Sequence, residues 1–426
     1  MTSAALNRSL VGILILSLFA AGCRTTSTDE SPSGEATAAM REAAPATSDW
    51  PHWRGPDRTG RSPERGWSSE GQEVWRRSVG LGYSSPSVRG DRLWIQGHDV
   101  EGAQDVLYCL DTTTGDEVWR SEHPAKNLPN MHEGGTLTTP IVAGDRVFVL
   151  CRLGTLRAHD VSTGEVVWER DFEADLGVSI GPFGLPSSPL VLSDTLYVNA
   201  GPTLALDAAN GETRWQTEDY GYSYGTPEPF RWQDRDCLAV FNAKGLTVLD
   251  RSDGEEIALH PWTSEYNVNS ASPIVIGDRI FISTGYNEVG CALLRLTDSG
   301  LEPIWSNKKM RSKMNGCVLV DDHLYGFDAA ILKCLDLDGE ARWIERGLGT
   351  GTVIESDGRL IVLGEEGELV VAQVSTEAFE PLTRVKVFEE GVCWTTPVLA
   401  HGRLYLRSNK GELVCRDHRH AVSSLP

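Results

Sequence analysis

Residues Thr138 to Trp168 read TTPIVAGDRVFVLCRLGTLRAHDVSTGEVVW, four short pieces set apart by turn residues. Thr139-Pro140 opens an apolar run, and Gly144-Asp145-Arg146 makes a tight turn. Val147 to Leu150 is a second apolar run, after which Gly154 turns the chain into Leu156-Arg157-Ala158-His159-Asp160. The unit closes on Asp160, Gly164 and Trp168, spaced four residues apart. β-rich runs of this length between turn signals read as strands joined by hairpins. One such unit leaves a flat apolar face and two open edges, so it is stable only inside a repeating array.

The unit recurs eight times. Its first strand begins at Ser85-Pro86, Thr139-Pro140, Ser188-Pro189, Thr226-Pro227, Ser272-Pro273, Gly316-Cys317, Thr352-Val353 and Thr396-Pro397. The step is about 44 residues, the size of a four-stranded propeller blade. The closing punctuation is intact in Asp111/Gly115/Trp119, Asp160/Gly164/Trp168 and Asp207/Gly211/Trp215. It is shortened in Asp336/Gly339/Trp343, Asp250/Gly254 lacks the Trp, and Gly300 is followed by Trp305. The eighth copy stops after its third strand, LVCRDHR, while an orphan fourth strand, Glu73 to Arg77, precedes the first copy. Pairing these two pieces removes the last free edge. The expected fold is all-β: an eight-bladed β-propeller of four-stranded antiparallel blades, its ring closed by an N-terminal strand completing the last blade.

The Asp-x-x-x-Gly-x-x-x-Trp element resembles the tryptophan-docking motif of the PQQ-like (pyrroloquinoline-quinone repeat) β-propeller family. In that family the Trp packs between neighbouring blades and the Gly makes the turn before the outermost strand. The resemblance covers Trp50 to Arg419. Asp49-Trp50-Pro51-His52-Trp53-Arg54-Gly55-Pro56 also resembles the opening of an exported bacterial branch of that family. Two classes share the fold: the quinoprotein dehydrogenases, and the non-catalytic propeller lipoprotein of the outer-membrane barrel-assembly machinery. The chain resembles the second in size, blade number and lipid anchor.

The flanks fit an exported protein. Residues 1–22 hold Arg8 and an apolar run from Leu10 to Ala20, too short to span a bilayer, and end in LFAAGC. This resembles a bacterial lipoprotein box, with Cys23 as the lipid acceptor and Ala20 in place of the usual Leu. Arg24 rather than Asp follows the cysteine, which by the resemblance to enteric lipoproteins implies the outer membrane, at its periplasmic face. Residues 23–48 are rich in Ser, Thr, Ala and Glu and read as a disordered tether. Residues 49–419 are the propeller and 420–426 a short tail. A net charge of −21 argues against nucleic acid as a partner. The eight cysteines beyond Cys23 form no Cys-x-x-Cys pair and sit mostly in apolar runs, so they read as buried free thiols.

Function must lie in the loops that ring the channel mouth, between each outer strand and the next inner one. These carry Tyr83, the pair His132-Glu133, the tyrosines Tyr222 and Tyr224 beside Tyr220, then Tyr266 and Asn267, and Trp394. Lys308, Arg311 and Lys313 belong to the only dense basic run of an acidic chain. That run reads either as an anion or acidic-partner site or as a solvated loop. The tyrosines read either as a binding platform or as covers over blade tops, and His132-Glu133 either as a base or ligand or as a loop hydrogen-bond pair. The docking tryptophans Trp119, Trp168, Trp215, Trp305 and Trp343 read as structural.

No vicinal Cys-Cys, no haem motif and no recognisable calcium set accompanies the repeats. The reading favoured is a monomeric, non-catalytic envelope scaffold without cofactor, with outer-membrane assembly components as partners. A PQQ- and calcium-dependent oxidoreductase is the alternative, and a carbohydrate-binding propeller a third.

Overall fold

Each repeat folds into one antiparallel sheet whose strands follow sequence order from the channel outward. The computed structural model describes residues 47–129, 133–181, 183–221 and 224–420. The leader, Cys23, the tether up to residue 46, His132, Tyr222 and the tail beyond 420 lie outside them. Eight sheets form, with inner strands at Ser87–Arg89, Ile141–Ala143, Leu190–Leu192, Glu228–Trp232, Ile274–Ile276, Val318–Val320, Thr352–Ser356 and Val398–Ala400. Each starts within two residues of the expected repeat start.

Burial follows position in the blade. The second strand of blade 2, Arg146–Leu150, is buried from Val147 to Leu150, because both its faces pack against neighbouring blades. Its outer strand, Val166–Asp171, has no buried residue. Continuous apolar runs therefore mark the inner strands and alternating runs the outer ones. Among the described residues the only α-helix is Phe172–Leu176, capped by Asp171, whose side chain accepts from the Ala174 N–H. The eight cysteines are buried and free, as their apolar settings imply.

Ring closure follows the orphan strand, which is longer than the expected piece. Trp67–Ser78 pairs antiparallel with Glu412–Arg419 and forms the outer strand of blade 8. At its heart Trp75 pairs with Cys415 and donates its indole N–H to Thr112 O in blade 1 at 3.1 Å. The same bridge recurs around the ring: Trp119 to Val161 O, Trp168 to Ala208 O, Trp215 to Arg251 O, Trp305 to Leu337 O and Trp343 to Ser375 O. Blades 4 and 7 carry Ala258 and Thr383 at this place, opposite Val248 and Val371. Asp160 accepts from the Ser162 and Thr163 N–H groups, holding the turn that Gly164 completes at φ 76°. Asp111 and Asp207 accept from their own turns in the same way.

The three residues of one docking motif do not form one contact, although their even spacing suggests a unit. Gly211 closes the turn by donating its N–H to Asp207 O at 2.8 Å, but the ring lying on it is Trp168 of blade 2, not Trp215 of its own motif. A Cβ on Gly211 would stand 2.8 Å from Cε3 of Trp168, and its carbonyl accepts from Arg170 of the same neighbouring strand at 2.7 Å. Trp215 in turn lies on Gly254 of blade 4. Each motif therefore offers a glycine seat to the blade before it and a tryptophan to the blade after it.

The docking glycine is required twice over. A Cβ on Gly164 would sit 2.4 Å from Cε3 of Trp119, in a left-handed backbone. Gly144 has φ 57° but open space around it. Gly144→Ala is expected to cost about 1 kcal/mol, the left-handed penalty alone, and Gly164→Ala about 2–4 kcal/mol. Thermal unfolding of the two variants side by side measures the difference, which is the tryptophan contact.

The residues before the clasp do something the repeat pattern does not show. Trp50 and Val88 of blade 1 exchange both backbone hydrogen bonds at 2.8 Å, and Pro51 O accepts from Val142 of blade 2. Trp53 donates its indole N–H to Ser272 Oγ in blade 5, and Arg54 reaches Cys317 O in blade 6 at 2.7 Å. Arg61–Ser62 then adds as a short parallel strand to Thr352–Ser356 of blade 7. Glu64 accepts from the Gly402 N–H of blade 8 at 2.8 Å. The segment thus crosses the channel and ties six blades together. It also blunts the inner edge of blade 7.

Candidate functional site

Successive strands of a blade alternate in direction. The loops from outer to next inner strand therefore share one end of the ring with the hairpins between second and third strands. Gly90 and Gly402, which meet Asp49 and Glu64, lie at the other end. The N-terminal segment enters from that far end, and Trp53 becomes the floor of a blind well opening at the mouth. The well is a cavity of about 170 Å³ with Tyr83, Trp394, Phe183, Tyr224 and Tyr286 among its walls.

Its aromatic walls are held by specific contacts. Tyr83 and Trp394 stack with centroids 5.5 Å apart and planes 20° from parallel. The Trp394 indole donates to Glu365 Oε1 at 3.0 Å, and Asn409 donates to the Tyr83 hydroxyl at 3.4 Å. Burial pushes the Tyr83 phenol up. Phe183 meets Tyr224 edge to face at 6.1 Å. Asn315 donates to Trp394 O and accepts from Thr396, fixing one polar point of the wall. Its charged point is Arg152, 2% exposed, which donates to Gly135 O, Lys126 O and Asn127 Oδ1.

The expected mouth residues divide. Tyr83, Tyr224 and Trp394 line the well. Glu133 stands on the rim, bonded to Lys410 and Asn409. Tyr266 is 64% exposed on a strained turn, with Tyr266 and Asn267 both at positive φ, and neither lines the well. The basic run is largely spent inside the fold. Arg311 forks onto Asp328 at 2.6 and 3.1 Å, Lys333 takes the same carboxylate, and Lys309 pairs with Glu340. Lys308 is exposed and Lys313 half-buried, and among the described residues neither has an ion-pair partner. Tyr220 is buried, donates to Glu256 Oε2 and lies under Lys244, so Tyr220 and Tyr224 do not form an exposed platform. The docking residues stay on the outer seams: Gly115, Gly164 and Gly211 seat tryptophans there, and none of them lines the well. Arg152 and Tyr286 come from hairpins between second and third strands, and Trp53 from the N-terminal segment; the outer-to-inner loops alone could not indicate them.

Beneath the floor lies a buried charged cluster. Arg54 donates to Arg58 O, Thr59 O and Cys317 O, and burial lowers its pKa. Glu228, on the inner strand of blade 4, is pushed up to about 8 by desolvation, against the pull of Arg54 and Arg58. In the unfolded chain this carboxyl ionises at its ordinary value near 4.5. The contribution is therefore fully present below that value and is lost as pH rises towards 8. Glu228→Gln lacks this loss. Its melting temperature, followed from pH 5 to pH 8, is expected to gain on the wild type as the pH rises.

The well does not suit PQQ with calcium. Among its described lining residues none is Asp or Glu, the hard oxygen donors that calcium needs, and a single arginine faces what would be three carboxylates. Among the described residues no three His, Cys, Asp or Glu side chains stand together to hold a metal ion.

Comparison with known proteins places this geometry. The family model described as outer membrane protein assembly factor BamB matches residues 67–235 and 103–345, well over half of the chain. The chain belongs to this family. It is 26% identical over 318 residues to BamB of Burkholderia pseudomallei, covering 69% of this chain and 74% of that protein. To BamB of Shewanella oneidensis it is 22% identical over 387 residues, covering 83% and 88%. Among solved structures, BamB from Moraxella catarrhalis superposes with a TM-score of 0.58 at 15% identity, over 82% of this chain and all of that one. The quinohemoprotein alcohol dehydrogenase of Comamonas testosteroni reaches 0.63 at 12%, over 89% and 82%. At these identities both structures show a likeness of fold and nothing finer. PQQ-like propellers of either class are built alike.

Proposed function

We propose that this protein is a non-catalytic scaffold of the bacterial envelope, docking components of outer-membrane protein assembly on its mouth-side loops. The family match over residues 67–345 supports this reading. The mouth face adds support: it presents Tyr266 and the Glu133–Lys410 pair, whereas the far end is occupied by the protein's own N-terminal segment. Aromatic side chains with a polar tip on a rigid frame are efficient protein contacts. The scaffold acts as a monomer, anchored through lipid on Cys23 at the periplasmic face of the outer membrane.

A photo-crosslinking residue at Tyr266 tests the face. Adducts with an outer-membrane assembly component support the reading, and adducts arising only from a probe at Asp145, on the far end, oppose it. Cys23→Ser should release the protein from membranes; continued membrane retention would remove the anchor from the account. Titration with PQQ and calcium is expected to leave absorption and melting temperature unchanged.

A further inference from the structure

The well has a chemistry that a protein-docking rim does not require. Its walls are rich in aromatic rings, and among its described lining residues none is a carboxylate and the one charged side chain is Arg152. Arg152 is bonded to two backbone carbonyls and an amide oxygen, and its Nε meets no acceptor among the described residues. Nε is closed to solvent and Nη2 gives both its N–H groups to Lys126 O and Asn127 Oδ1, so the capacity left for a ligand is the second N–H of Nη1, whose first goes to Gly135 O.

Two further buried arginines flank the well. Arg407, fully buried, donates to Ser84 O, Gln96 O and Gly80 O, holding the backbone on either side of Tyr83. Arg54 lies next to the Trp53 floor. Neither has a carboxylate hydrogen bond among the described residues. Asp105 acts on Arg152 and Glu228 on Arg54. Asp105 is engaged by His98 at 2.7 Å and by the Cys151 thiol at 3.2 Å, and it reaches Arg152 only through its field. Desolvation pushes Glu228 up, to about 8, against the pull of Arg54 and Arg58. Glu133 is paired with Lys410 and Glu365 accepts from the Trp394 indole, and neither belongs to the described lining, where Arg152 is the one charged side chain. Buried cations left without anions favour an incoming one, because little solvent screens them.

We propose that the well binds a small aromatic monocarboxylate, its ring against the Tyr83–Trp394 stack and its carboxylate on Arg152. The volume suits this class: about 170 Å³ is close to the ~150 Å³ of an engineered cavity that holds one benzene. One arginine matches one carboxylate. The inference does not depend on the scaffold reading, since the well lies below the rim where a protein partner would sit.

Calorimetric titration of the purified protein with indole-3-acetate and with neutral indole-3-acetamide tests it. The acid is expected to bind about tenfold or more tightly than the amide, the increment of a charge-assisted contact. Arg152→Met should abolish that preference while leaving the amide unchanged. Because Arg152 also holds the Lys126 and Gly135 backbone, Leu137→Trp serves as a second variant. Leu137 lines the well without a side-chain polar role, and the added indole fills it. Leu137→Trp should melt as the wild type does and lose both ligands. Equal binding of acid and amide, no binding at millimolar concentration, or binding that survives Leu137→Trp would each overturn the proposal.

Discussion

Trp75→Ala is expected to destabilise the protein by about 3–5 kcal/mol and to unlatch the ring at blade 8. Trp75 is 6% exposed, packs 6.0 Å from Tyr405 and donates to Thr112 O. A Cβ on Gly115 would stand 2.6 Å from its ring, so the indole fills the seam between blades 8 and 1 closely. Truncation leaves a large cavity and an unsatisfied carbonyl in one step. Trp119→Ala removes a comparable contact between blades 1 and 2, but the strand that carries Trp119 is joined to the rest of its own blade by a hairpin from Gln104–Asp111. Only at Trp75 is the outer strand supplied from the other end of the sequence. Both variants should lower the denaturant midpoint. Trp75→Ala alone should speed hydrogen exchange in Glu412–Arg419, whose edge it exposes. Equal exchange in that strand for the two variants would show that the clasp is no weaker than any other seam.

Arg54→Ala should cost about 2–4 kcal/mol, from three carbonyls left without their donor. Its partners Arg58 O and Thr59 O shape the N-terminal turn, while Cys317 O belongs to blade 6, so one side chain both folds the segment and pins it across the channel. Arg54→Lys should not restore the loss, because one ammonium cannot reach the three acceptors that the guanidinium fork spans. A second effect separates this from simple destabilisation. Arg54 pulls the Glu228 carboxyl down, so its removal should raise the Glu228 pKa further. Carboxyl titration of Glu228 by isotope-edited spectroscopy reads that shift directly.

The repeat was legible because its contacts are local. Hairpin turns, apolar runs and the Asp160/Gly164/Trp168 spacing lie within one blade, and the missing fourth strand of the eighth copy announced its N-terminal replacement. Which tryptophan each glycine seats was not legible, since Gly211 and Trp168 belong to different repeats and meet only across a seam. The role of Asp49 to Pro56 was not legible either. That stretch has no strand period, and its partners Ser272 and Cys317 lie more than 200 residues away. Family likeness marked it without a physical reason, which the channel now supplies. The site was half legible for a similar reason. Loops entering the inner strands were identifiable from the repeat starts, giving Tyr83, Tyr224 and Trp394. Arg152 and Tyr286 sit in hairpins that look like ordinary turns. Charge density misled at Arg311 and Lys309, because Asp328 and Glu340 lie 17 and 31 residues on and only the fold brings them back.

The measurement closest to the central claim is site-directed photo-crosslinking in intact envelopes from paired positions, Tyr266 at the mouth and Asp145 at the far end. The account predicts adducts with outer-membrane assembly components from Tyr266 and none from Asp145. Adducts from Asp145 alone, or none of that class from either position, would contradict it.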